Sequence, residues 1–137
     1  MSTASQRAER LHGGDVRAWD GGVSITSTIA PAEALQLTDL IAPAAHGIAS
    51  RILSKTAGGS LTLFAFDAGQ GLAEHTAPFD ALVMVLDGRL TLTIGGAEVS
   101  ATPGTVVRMP ANVPHAVDAT VASRMLLIML REPKPAA

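Results

Sequence analysis

The chain has 137 residues, a formal net charge of -2, 47% apolar residues and 16% charged ones. That length suits one domain with a real core, and the near-neutral balance excludes both a basic nucleic-acid face and an acidic tail. The absence of cysteine excludes disulfides, thiolate nucleophiles and cysteine metal ligands.

The N-terminal residues Met1 to Arg10 are polar and lack the apolar run of a secretory signal. No apolar stretch approaches the roughly 20 residues that span a bilayer. A cytoplasmic protein with no membrane partner is the expectation. Trp19, Phe64, Phe66 and Phe79 are all the aromatic residues other than His, so a base- or sugar-stacking platform is not expected and any pocket is walled by aliphatic side chains and Met.

In chain order, residues 1–30 read as an N-terminal arm, small and polar, with Gly13-Gly14 and Gly21-Gly22 as breaks. Within it, Val23 to Ile29 alternates apolar and polar residues as a short edge strand does. Residues 31–41 carry the one helix pattern: Pro31 at the start, Glu33 in the first turn, and Leu37, Leu40 and Ile41 on one face. From Gly47 the period changes to two. Eight strands are expected, over 48–54, 60–67, 82–86, 89–94, 97–101, 105–109, 115–119 and 123–130. Gly58-Gly59, Gly69, Gly88, Pro103-Gly104 and Pro110 to Pro114 punctuate them. Ile94-Gly95-Gly96-Ala97 is a two-residue hairpin loop. Regular short strands without helices between them imply an all-β sandwich or closed barrel over 31–130, with a flexible tail at 131–137.

Two glycine-bounded segments each carry one histidine: Gly69, His75 and Gly88 in the first, Gly104, Pro110 and His115 in the second. The spacing resembles that of the small single-domain cupins, conserved-barrel proteins of the RmlC-like jelly-roll type. Their first motif runs Gly, five residues, His, one residue, His, three or four residues, Glu, six residues, Gly. Their second runs Gly, five residues, Pro, one residue, Gly, two residues, His, three residues, Asn. The fold this implies is a double-stranded β-helix with a short N-terminal helix and arm. The resemblance also implies a divalent metal, iron, manganese, nickel or zinc, held by three His and one Glu. Here Ala77 and Ala81 stand at the second His and the Glu, Asn112 at a Gly, and Ala119 at the Asn. Asn112 tolerates the positive φ of the glycine that it replaces.

The metal ligands left are His75 and His115, with Asp80 as a third if the interrupted pleating after Pro78 turns its carboxylate inward. Alternation puts His75 and Ala77 on one face of their strand, and Glu74 on the other unless a bulge re-aims it. A ligand pocket would be lined by His75, His115, Met84 and Met109. His46 and His12 are expected at the surface. Arg51, Arg89, Arg108 and Arg124 are expected mostly in solvent, with Arg108 either in a surface salt bridge or reaching a ligand carboxylate at the barrel rim.

Three functions remain open. The first is a small-molecule-binding barrel with a reduced two-His site, whose ligand is compact, largely apolar and has one polar head. The second is a metal-dependent dioxygenase or isomerase using His75, His115 and Asp80. The third is a non-catalytic oligomeric or regulatory scaffold. The resemblance and the apolar run Met125 to Leu130 suggest a homodimer.

Overall fold

Period-two alternation is what a strand with one buried face requires, and it produces the observed elements. The computed structural model describes residues 23–26 and 29–132. Its strands are β1 (Val23–Thr26), β2 (Ile48–Thr56), β3 (Gly59–Phe66), β4 (Gly71–His75) and β5 (Asp80–Asp87), followed by β6 (Leu90–Ile94), β7 (Ala97–Ala101), β8 (Val106–Met109), β9 (His115–Ala119) and β10 (Ser123–Leu130). All eight spans expected from residue 48 onward are present. Most of the proposed arm, including His12, and residues 133–137 of the proposed tail lie outside the described residues.

The strands form two sheets, β1-β2-β3-β10-β5-β8 and β4-β9-β6-β7. Pairing is antiparallel, except that β1 runs parallel to β2 at the sheet edge. The β6–β7 hairpin closes through Gly95 and Gly96 at φ 58 and 86. Positive φ at both central residues is what a type I′ turn demands, and glycine meets it without strain.

The inner faces of the two sheets enclose the core. Ile48, Phe64, Phe66, Val83, Val85 and Met125 come from the large sheet, and Leu90, Leu92 and Val117 from the small one. Each such side chain stabilises the fold by about 1.5–3 kcal/mol on burial.

A second cluster lies on the outer face of the large sheet, where Leu53, Leu63 and Leu126 pack against Leu37, Leu40 and Ile41. This corrects the helix expected over 31–41, of which only a three-residue 3-10 turn, Leu37–Asp39, remains. Ala32 sits at φ 60, and Gln36 is extended at φ -76, ψ 117. The chain turns after Pro31 and lies across the sheet as a strap. Burial of its leucines on the sheet outweighs helix propensity, which is marginal in so short a segment. Among the described residues no helix is long and apolar enough to cross a membrane.

Candidate functional site

His115 opens β9 and shares a face with the core residue Val117, so its ring enters the barrel, and the residue is 5% exposed. His75 ends β4 and reaches the same place by a different route. Leu72 pairs with Val117, so unbroken pairing would set Glu74 opposite His115. A register shift between Leu72 and His75 makes His75 the partner of His115 instead. One extra residue in β4, a β-bulge, thus resets the alternation. A bulge was considered in the sequence only as a means of turning Glu74 inward. It aims the His75 ring at His115, while His75 and Glu74 are both exposed.

The two rings meet edge to face with centroids 4.4 Å apart and Nε2 atoms 3.2 Å apart. His75 Nδ1 lies 2.9 Å from the Ala73 carbonyl oxygen and His115 Nδ1 lies 3.1 Å from that of Val113. Each Nδ1–H therefore donates to the strand two residues back, and both Nε2 atoms converge. Burial, and then the facing His75, hold the His115 pKa below its ordinary 6.5, with its backbone hydrogen bond opposing them.

The loop before β9 is fastened to the start of β5. Asn112, at φ 63 as expected of a glycine substitute, donates its N–H to Ala77 O at 2.7 Å. Ala111 N–H donates to Asp80 Oδ1 at 2.8 Å and Arg108 Nη1 donates to Asp80 Oδ2 at 3.0 Å. The Ala111 amide and then the Arg108 guanidinium hold the Asp80 carboxyl below the usual carboxylate range.

Asp80 therefore does not turn toward the imidazoles, because its two oxygens are occupied as a loop anchor. Arg108 makes the surface salt bridge, with 61% of its side chain exposed. Met84 faces out of the barrel: it is 37% exposed, whereas Val83 and Val85 beside it are buried. That corrects its place in the expected pocket wall, since alternation through the core valines leaves it the opposite face. Met109 is buried in the barrel core at 3% exposure. His46 is exposed, and its N–H bonds the Asp67 carboxylate.

Among the described residues no group of three or more His, Asp or Glu side chains could hold a metal ion. Two imidazoles in contact with each other, with alanine at positions 77 and 81, do not fit the divalent ion that the barrel type implies. The fastening role of Asp80 was missed in the sequence. Its partners, a backbone amide and an arginine 28 residues away, leave no local signal.

The cupin domain family model matches residues 62–130. A conserved protein of unknown function from Streptococcus pyogenes is 31% identical, with a TM-score of 0.74 over 82% of this chain and 98% of its own. A cupin 2 conserved barrel domain protein from Leptotrichia buccalis is 34% identical, with a TM-score of 0.69 over 71% of this chain and 47% of its own. A cupin superfamily protein from Desulfitobacterium hafniense shares the fold at 24% identity, with a TM-score of 0.73 over 77% of this chain and 97% of its own. No curated protein matches the chain. With strand order, motif glycines and family model in agreement, the chain belongs to the cupin family.

Proposed function

We propose that this cupin binds a compact, largely apolar small molecule through one weakly acidic hydroxyl, with His75 and His115 as the polar anchor. The observation that carries this reading is a shortage of protons at the pair. Two neutral imidazoles carry two N–H groups between them, whereas the contacts to Ala73 O, to Val113 O and between the Nε2 atoms use three. The third proton comes from solution or from a ligand. Burial and then the facing ring disfavour a charged His115, and a ligand hydroxyl donating to an Nε2 lone pair supplies a hydrogen without charging that ring. Leu72 and Ile94, partly buried against the core beside the pair, supply apolar surface for the rest of the ligand.

Phenol, a compact apolar molecule with one acidic hydroxyl, is a direct probe. Titrated into protein with 15N-labelled histidine, it is expected to shift the ring nitrogens of both His75 and His115 saturably, and His75→Ala is expected to weaken binding about tenfold. Unmoved ring signals in the wild type would sink the reading.

The second reading, the metal-dependent enzyme, is disfavoured by the two-imidazole set, although both Nδ1–H groups bond carbonyls as those of ligating histidines do. Tight, stoichiometric uptake of zinc chloride, lost in His75→Ala, would place it ahead of the first. A homodimer belongs to the proposal as well.

A further inference from the structure

The strap from Thr38 to Ala44 roofs a cavity of about 470 Å³ on the outer face of the large sheet, with Ala49, Arg51 and Arg124 among its other walls. The cavity exists because of a pair of small side chains. Ala49 pairs with Ala65, so nothing large stands between strap and sheet there, and Arg124, the next partner of Ala65, borders the space. One strand position over, Leu63 and Leu126 fill the same space as apolar core. Neither histidine of the pair lines the cavity.

The sequence places most of the four strand arginines in solvent, and Arg51 and Arg124 are both partly covered. Arg51 Nη1 donates to Leu40 O at 3.2 Å, and Arg124 Nη1 donates to the Asp87 carboxylate at 2.6 Å. The Nε atom of each is buried and has no hydrogen-bond partner. Nε–H and Nη2 lie on one edge of the guanidinium and form the planar fork that a carboxylate accepts with both oxygens. The structure thus holds two such forks at one cavity, each with its Nη1 already fixed. Arg124 has an acidic partner, but Arg51 has only a carbonyl among the described residues. Asp39 also lines the cavity and forms no ion pair with either arginine among the described residues. Ser50 has an unpartnered Oγ too. Ser50 also lines the cavity, but alternation with the core residue Ile48 puts its Oγ on the barrel side, outside this donor set.

We propose that this cavity is a binding site for a small organic carboxylate, held beneath the strap by the Nε–Nη2 edges of Arg51 and Arg124. Buried guanidinium donors without acceptors are rare in folded proteins, because each forfeits its hydration. A carboxylate between them meets both once each guanidinium turns, since the Nε edges are shielded from the cavity as the side chains stand. The volume lies within the range of small-molecule sites. Because Arg51 also bonds the strap at Leu40, occupancy of the cavity and the position of the strap are coupled through one side chain.

The test is a titration of the full chain, 15N-labelled at arginine and backbone amides, with succinate as the probe. Saturable shifts are expected at the Nε–H signals of Arg51 and Arg124 and at the amides of residues 38–44. Ala49→Leu fills the floor of the cavity while leaving both guanidiniums in place, and it is expected to weaken binding about tenfold or more. Arg51→Gln, which keeps a side-chain donor near Leu40 O, is expected to do the same. Amide spectra establish that each variant is folded, so a loss in either one supports the site. Absence of saturable shifts in the wild type overturns the proposal. Equal shifts in the wild type and both folded variants overturn it as well, since they mark adventitious pairing with surface charge.

Discussion

At the scale of single residues, the fold sets the protonation of His115, and that setting has a thermodynamic consequence. In the unfolded chain its imidazole titrates near the ordinary 6.5. In the fold burial lowers that value, and the facing His75 lowers it further. Below a pH of about 6.5 the unfolded chain takes up a proton that the folded chain refuses. Stability contributed by the neutral ring is therefore complete above that pH and is lost as pH falls toward the depressed folded value. Urea midpoints measured at pH 7.5 and 5.5 are expected to drop in the wild type and to drop less in His115→Leu. An equal drop in the two proteins would show that His115 is not the group responsible. The identity of this residue as a site member was legible in the sequence because glycine and proline spacing specify the loop that delivers it. Its partner across 3.2 Å was legible as a member of the same pocket, whereas their direct contact depends on strand register.

Elements differ in how openly they declare themselves. Eight of the nine strands from 48 to 130 follow from alternation and glycine punctuation, and their spans match the sequence reading to within about two residues, whereas β4 (Gly71–His75) was not among the expected spans. The strap over 31–41 does not, because leucines spaced for a helical face are spaced equally well to reach a sheet from an irregular segment. Ala32 at φ 60 also gives no warning in its residue type. The β4 bulge is the least legible feature and matters most for the site. A period-two pattern carries no mark where one residue is inserted, and only the pairing of Leu72 with Val117 and of His75 with His115 exposes it. Removing Glu74 takes out the extra residue and brings β4 into unbroken register. His75 then still stands opposite His115, with Leu72 on the same face. The deletion variant is accordingly expected to retain phenol binding and coupled ring signals. Deleting Ala73 and Glu74 together reverses the alternation between Leu72 and His75, and binding is expected to disappear. A single deletion as damaging as the double one would contradict the assignment of the bulge as the aiming device.

At the scale of the whole molecule, the two faces of the large sheet are covered unequally. The inner face closes on the barrel core. The strap covers the outer face only over part of its width, at Leu53, Leu63 and Leu126. The apolar run of β10 suggested a dimer face in the sequence, but β10 lies inside the sheet between β3 and β5, and its outward Leu126 and Ile128 belong to the strap-covered cluster. Leu130, at the end of β10, is 50% exposed, and a cross-strand pair of exposed apolar side chains lies further along, at the β5–β8 end. There Met84 and Val106 are cross-strand partners, 37% and 58% exposed. Strand β8 is also a sheet edge, with backbone groups open to pairing. A second copy, related by a twofold axis, presents the same strip and the same edge and can cover both at once, the isologous arrangement most soluble dimers use. With a formal net charge of only -2 per chain, repulsion between copies is weak. Light scattering is expected to return the mass of two chains for the wild type and of one chain for Val106→Glu. The substituted carboxylate lands on an exposed side chain, so far-ultraviolet dichroism and the histidine ring signals are expected to stay as in the wild type. A wild-type mass of one chain would remove the dimer, and a dimeric Val106→Glu would move its interface away from the β5–β8 edge.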